Sequence, residues 1–556
     1  MDSDLPDSIL WFIFNKLPLK DHVKTSILSK HWLSELKSSS THLSFDLYNT
    51  LHNTTLPINI RLFRSLHSQF TSKLDQFMLN YQHATISSIR VNFPLGNKQR
   101  DVIDRLISQG IAKGVKHIEL LLSHETNFKI QPYILSFTLL SNAADSLTYL
   151  HLEKCLLVVP KEFSGLKNLQ TLVLKLIVSR PDLLDDLFSN CMHLEDFTLD
   201  NCEFYSLARI NSRTLSRLKI VCRSQHLKTI YINAPNLSSF EYSCHGRHSI
   251  NLNAGRLSQF IYRTKTMIGI VDMSSLKNLT TVVLDGFHEL LDLSFMQYLF
   301  EKCLKLEDVT LKNCPMPDDM EITSTKLLHL KIIDCSSGSH SKISIDAENL
   351  SSFEYSGLAG EFSIKAPKLS NVFWNAVVRE KNPDSLGPIP ELLQIENLAI
   401  ITRHSQISKL KVLGKFQNLR QLELFVDVAD YPFIEFYSLL DVLMASQHLK
   451  KFSLTIQRTY WFGSLNERKC ANFVHNELKY VELHGYVSTP HAIEFARSLL
   501  RNVSSLKKIT FSSMDKLYVG AETWTKGSDS FCEFNRNFIY ESLKDEVKAQ
   551  CELIIL

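Results

Sequence analysis

NLSSFEYS, at residues 236–243, recurs without a change at residues 349–356. A second pair is nearly as close, because CMHLEDFTLDNC (Cys191 to Cys202) is echoed by CLKLEDVTLKNC (Cys303 to Cys314). Echoes of that length are not accidents, so the chain is built on an internal repeat. Both pieces hold one phrase, L-x-x-L-x-L, with aromatic or branched substitutes. Outward from them it runs back through Leu169-Leu172-Leu174 to Leu147-Leu150-Leu152. It runs forward through Leu369-Val372-Trp374, Leu419-Leu422-Leu424 and Leu478-Val481-Leu483 to Leu506-Ile509-Phe511.

The starts of the phrase lie mostly about 19 to 30 residues apart, the spacing of leucine-rich repeats. Each phrase reads as a short strand with three apolar side chains turned inward, after which the chain crosses back by a helix or irregular loop. No single repeat can bury its apolar side, so neighbours must stack into one continuous core. The expected fold is therefore α/β, a curved solenoid with uneven convex loops. Glu380 to Leu392, with Pro383, Pro388 and Pro390, is the expected place for a bulged loop or a break. Cys155, Cys202, Cys314 and Cys335 each fall eight residues after a repeat's first leucine. That is the Asn/Cys position of the repeat, which suits a buried column of small side chains better than metal or disulfide use.

A chain of 556 residues exceeds one ordinary core, and 44% apolar residues argue against wholesale disorder. A formal charge of +3 does not suggest a nucleic-acid binder. The start, Met1-Asp2-Ser3-Asp4, is acidic where a secretory signal is basic, and no apolar run of about 18 residues suggests a membrane span. Eleven cysteines without a CxxC pair point to a reducing compartment, cytoplasm or nucleus.

Residues 5 to 14 read LPDSILWFIF. Pro6 suits a first helical position, and Ile9, Leu10, Ile13, Phe14 and Leu17 form one apolar stripe. Leu17-Pro18 ends that helix, and a second one carries Val23, Ile27 and Leu28, with Trp32 on the same side. Such a small unit exposes more apolar surface than it can bury, so either the rest of the chain or a partner covers it. LPDSILWFIFNKLPLKDHVKTSILSKHW (residues 5 to 32) resembles the F-box of plant F-box proteins. In that family the motif docks on a Skp-type adaptor, itself joined to a cullin–RING ligase. By position, the resemblance implies docking through Leu5, Pro6, Ile9, Leu10, Leu17, Pro18, Val23, Leu28 and Trp32. His31 replaces a common arginine, and Leu36 stands where a second tryptophan is frequent.

Cys470 to Phe511 resembles the FBD domain found at the end of many plant F-box/leucine-rich-repeat proteins. The resemblance rests on Leu478, Val481, Glu482, Gly485, Glu494, Ala496, Leu500, Asn502, Leu506 and Ile509. The expected organisation is an F-box at 1–45, a helical linker and first irregular repeat at 46–114, leucine-rich repeats at 115–465, FBD-like terminal repeats at 466–515 and a tail at 516–556.

In such arrays the x positions face the concave side and report on a ligand more than on folding. Arg420, Lys450, Lys479 and Lys507 occupy the first x late in the array, with Lys451 and Lys508 beside them. They are the candidate substrate face, a basic lane for an acidic or phosphorylated peptide or an anionic small molecule, or else a solvated rim. No HExxH, P-loop, GxSxG or Rossmann fingerprint is present, and the 21 histidines are scattered. Neither a catalytic residue nor a cofactor is expected. The F-box resemblance implies a non-catalytic subunit that brings a protein substrate to a ubiquitin ligase. The alternative is a stand-alone repeat scaffold whose amino-terminal hairpin is a cap.

Overall fold

The computed structural model describes residues 42–51, 60–81, 85–123, 130–140, 144–160, 163, 165–178, 183–203, 206–223, 227–244, 249–264, 276–286, 293–335, 342–358, 360–377, 386–427, 436–457, 473–485, 487–520, 523–529 and 535–556. The F-box segment, with all nine candidate docking residues from Leu5 to Trp32, lies outside the described residues. The chain divides into two compact units, Met1–Leu279 and Thr280–Leu556.

In the first unit the strands His42–Asp46, Ser88–Asn92, His117–Leu121, Tyr149–Glu153, Thr171–Lys175, Asp196–Asp200, Arg217–Cys222, Ser239–Cys244 and Gln259–Thr264 pair one after another, all parallel. The second unit repeats the plan. Its strands are Thr281–Asp285, Asp308–Lys312, His329–Cys335, Ser352–Leu358, Asn371–Val377, Asn397–Arg403, Gln421–Asp427, Lys451–Gln457, Tyr480–Gly485, Lys508–Ser512 and Glu552–Ile555. Parallel neighbours need a crossover connection, and repeat length decides which kind forms. Longer repeats, such as Leu279 to Leu306 and Leu419 to Leu449, return through the helices Leu293–Lys302 and Phe436–Ala445. Shorter ones return through extended chain. Ser206–Asn211, Leu227–Asn233 and Ser249–Asn253 pair into a second parallel sheet, as do Asp319–Thr323, Lys342–Asp346 and Glu361–Lys365. Sequence pattern leads one to expect helices or irregular loops there. A short return cannot fit helical turns, but its alternating Ile-x-Ile segments can pair with their neighbours.

The conserved spacing of the phrase becomes register. Leu218, Phe240 and Phe260 face one another across three strands, with Ile220, Tyr242 and Tyr262 beside them, and all are buried. The rings of Tyr242 and Tyr262 stack at 5.2 Å, as do those of Tyr355 and Trp374 at 4.8 Å. Cys155, Cys202, Cys314 and Cys335 are buried and free. The Cys202 thiol donates to Leu174 O at 3.2 Å and the Cys314 thiol to Lys312 O at 3.1 Å. Burial pushes the Cys202 thiol up to about 12, and the adjoining Cys314 thiol together with burial raises Cys335. Among the described residues no group of His, Cys, Asp and Glu could hold a metal ion.

Two devices of the repeat are invisible in its leucines. The asparagine before a strand's first leucine reaches back to the preceding repeat: Asn168 to Asp145 O at 2.8 Å, Asn236 to Arg213 O at 2.6 Å and Asn349 to Thr325 O at 2.7 Å. The residue three before that leucine closes the turn. Ala234 does so with its carbonyl, accepting from Leu237 N at 3.0 Å. Ser212 and Ser324 use a hydroxyl, and His475 uses Nδ1, each accepting from the leucine N–H at 3.1 Å.

Of the expected bulge or break at Glu380 to Leu392, residues 380–385 lie outside the described residues, and the strands on either side stay in one sheet. Asn371–Val377 pairs directly with Asn397–Arg403, and Gly387 sits against the Trp374 indole. At the carboxy-terminal end the chain does not trail off. Met514–Gly520 and Thr523–Asp529 form an antiparallel hairpin, Arg536–Leu543 is a helix with Asn535 as its cap, and Glu552–Ile555 adds a further parallel rung.

Candidate functional site

Alternation fixes which residues of the second unit's main sheet face away from the core. On the strand Lys451–Gln457, Phe452, Leu454 and Ile456 are buried in the core, while Lys451, Ser453 and Thr455 turn to the opposite, open face. Register then lines the open face up in rows. One row runs Ser352, Asn371, Asn397, Gln421, Lys451, Tyr480, Lys508. The next runs Glu354, Phe373, Ala399, Glu423, Ser453, Glu482, Thr510.

The candidate substrate residues fall on this lattice. Lys450 N donates to Arg420 O at 2.8 Å, Lys479 N to Lys450 O at 2.9 Å and Lys507 N to Lys479 O at 2.9 Å. Arg420, Lys450, Lys479 and Lys507 thus form one file at the mouth of four consecutive strands. With rungs about 4.8 Å apart, that file spans about 14 Å. The same ladder continues backward through Glu396, Ser370 and Ser351, so the cations are confined to the last rungs. Lys451 and Lys508 lie one position further in and are paired, Lys451 with Glu482 at 3.0 Å and Lys508 with Glu552 at 3.8 Å. The Arg420 guanidinium donates to His448 O at 3.3 Å. Lys450 and Lys507 are exposed, and neither has a carboxylate within ion-pair distance among the described residues.

Over these strands the deeper rows are closed. The hairpin packs against Lys451–Gln457 and Tyr480–Gly485. The outward-facing Ser453, Thr455, His484, Thr510 and Ser512 are all buried. Toward the preceding strands the face opens into a groove of 310 Å³, lined by Ser352, Asn371, Asn397, Gln421, Phe373 and the carboxylates Glu354 and Glu423, among others. Glu354 is buried and held by Lys331 at 3.1 Å. The Asn397 amide donates to Asn371 Oδ1 at 2.7 Å. In the sequence Glu423 lies within a strand of the basic lane, as a charge that would partly neutralise it. The groove itself needed the register across repeats of unequal length. Of the scattered histidines, His329 pairs with Asp308, and burial lowers His151.

Parallel strands stacked one per repeat, with helical or extended returns, define a leucine-rich-repeat protein. The family model for the F-box domain matches residues 3–43, and the model described as At1g61320/AtMIF1, LRR domain, matches residues 78–283 and 261–549. The chain belongs to the plant F-box/leucine-rich-repeat proteins. It is 25% identical over 265 residues to the F-box/FBD/LRR-repeat protein At1g78750 of Arabidopsis thaliana, covering 45% of this chain and 54% of that one. It is 28% identical to F-box/LRR-repeat protein 13 of Arabidopsis thaliana, covering 45% and 53%. The chain thus spans about half the length of the curated relatives it matches. A chain of the TLR13–ssRNA13 complex aligns with 85% of this chain and 71% of its own length, at 14% identity and a TM-score of 0.33. Among the described residues no helix is long and apolar enough to cross a membrane.

Proposed function

We propose that this protein is the substrate-recognition subunit of a Skp–cullin–F-box ubiquitin ligase, working in the cytoplasm or nucleus. Its F-box at residues 3–43 docks on a Skp-type adaptor through Leu5, Pro6, Ile9, Leu10, Leu17, Pro18, Val23, Leu28 and Trp32. The open face of its repeats holds the target protein. The joining of an F-box to a leucine-rich-repeat array in one chain carries the reading. The chemistry belongs to the ligase, and this chain contributes proximity, raising the effective concentration of target lysines near the ubiquitin donor. The file Arg420, Lys450, Lys479, Lys507, with Lys451 and Lys508 behind it, is the proposed contact for the target.

The test is a pull-down of the purified protein with a plant Skp-type adaptor, beside a Leu5→Ala, Pro6→Ala double variant. Capture by the parent and loss in the folded variant supports the ligase role. A folded parent that captures no adaptor points instead to a repeat scaffold acting alone.

A further inference from the structure

The carboxy-terminal hairpin is an insertion between two rungs. Lys508–Ser512 pairs directly with Glu552–Ile555. The helix Arg536–Leu543 between them buries Ile539 and Leu543 and packs on Pro490–Asn502, the helix of the preceding repeat. Strand, return helix and next strand therefore complete the last repeat without the hairpin. Among the described residues Met514–Gly520 and Thr523–Asp529 pair only with each other. A ribbon of two strands has little stability of its own, so it keeps its place by what it lies on.

The surface beneath it is polar. The outward side chains there are Ser453, Thr455, His484, Thr510 and Ser512, while Phe452, Leu454, Leu483, Ile509 and Phe511 fill the core on the other side of the same strands. Thr455 is completely buried, yet its hydroxyl has no hydrogen-bond partner among the described residues. A permanent packing layer would place apolar groups at such positions, and a buried hydroxyl without a partner counts against closure. These rows also continue the groove. The row Glu354, Phe373, Ala399, Glu423 lines it and runs on into Ser453, Glu482 and Thr510. The groove is thus the uncovered end of one trough, and the hairpin closes three further strands of it, about 14 Å.

We propose that the hairpin is a displaceable cover, and that an extended segment of the target takes its place in the trough. The occupant is read from the structure, because the trough already accepts chain in a β conformation. Target binding then competes with the protein's own hairpin, which sets a threshold that weak ligands fail to pass. The inference deepens the adaptor reading and rests on it for the nature of the ligand. Opening of the hairpin is measured without adaptor or target, so its failure is distinct from a failure of adaptor capture.

Thr455→Cys places a thiol under the hairpin with little change of volume. In the full chain without denaturant, a neutral maleimide should label that thiol while Cys314 and Cys335 stay unlabelled, as read by mass spectrometry. Replacing residues 514–529 by a short Gly-Ser linker should speed the labelling about tenfold or more. A fluorescein-labelled peptide of those residues, MDKLYVGAETWTKGSD, stands in for an extended target segment. It should bind the shortened chain saturably and the parent about tenfold or more weaker, because the tethered hairpin competes at high effective concentration. The proposal is overturned if the introduced thiol reacts only in denaturant, together with Cys314 and Cys335. It is also overturned if the thiol reacts equally fast in parent and shortened chain, or if the folded shortened chain does not bind the peptide. The first of these outcomes needs only the full-length protein, so it decides the matter even where the shortened chain fails to fold.

Discussion

Acidifying the protein from about pH 7.5 to about 5.5 is expected to loosen the turn that leads into the strand Tyr480–Gly485, through His475. That imidazole is buried, and its bonds define its state. Nδ1 accepts from Leu478 N at 3.1 Å and Glu477 N at 3.3 Å, so Nε2 carries the proton and donates to Ser446 O at 3.0 Å. A proton added at Nδ1 would face two N–H donors. Burial lowers the pKa from its ordinary value, outweighing the raising effects of the Ser446 bond and the Glu477 charge, while His448 lowers it further. The unfolded imidazole therefore takes up the proton first. The stability this neutral ring contributes is complete above the ordinary value of about 6.5 and is lost as pH falls toward the folded value. One proton corresponds to about 1.4 kcal/mol per pH unit, which bounds the loss over this range at about 1.4 kcal/mol. The readout is amide hydrogen exchange in a peptide spanning 473–485, corrected for the intrinsic rate at each pH. His475→Ser keeps an acceptor for the leucine N–H, as Ser212 and Ser324 do elsewhere. It should start less protected by about 2–4 kcal/mol, having lost packing and the bond to Ser446, but should show no acid-dependent loss. An equal loss of protection on acidification in both proteins would refute the argument.

Gly387 has a left-handed backbone, φ +48°, and an added Cβ would fall 2.5 Å from a Trp374 ring carbon. Gly387→Ala should therefore cost about 1–3 kcal/mol, read as a lower denaturant midpoint. Asn349→Ala removes one tie to the previous repeat and should cost about 1 kcal/mol in the same assay, with Asn236→Ala matching it. The described cysteines are buried; burial raises the thiols of Cys155 and Cys202, and the Cys314 hydrogen bond together with burial raises that of Cys335. A neutral maleimide should leave Cys155, Cys202, Cys314 and Cys335 unlabelled until denaturant is added, as read by mass spectrometry of their peptides.

The repeat was legible because its inward residues are chosen by burial alone, and burial accepts only a few side chains. Leu218, Phe240 and Phe260 announce themselves at fixed spacing. The rungs His42–Asp46 and Ser88–Asn92 did not, because the long helix Ile60–Asn80 lies between them and stretches the spacing beyond recognition. The last rung, Glu552–Ile555, falls on the apolar run Leu553-Ile554-Ile555-Leu556, which reads as a terminal strand, whereas the hairpin and helix before it do not show in the sequence. The extended returns were missed because Ile210, Ile232 and Leu252 are paired by stacking between repeats, which no single repeat reveals. The cationic file could be picked out from the first x of each phrase. That Lys451 and Lys508 are spent on Glu482 and Glu552 depends on which strands are neighbours, and so could be read only from the structure.

The asparagine ties hold a neighbouring carbonyl, not a neighbouring side chain. Asn168, Asn236 and Asn349 thus fasten their repeats to the last through atoms that every residue possesses, and these ties do not depend on which side chains stand on the open face. A single row of the open face already passes through serine, asparagine, glutamine, lysine and tyrosine without a break in register. Copies of such a chain can change that face one residue at a time while the scaffold beneath stays sound, so a new binding surface can arise without first passing through an unstable form.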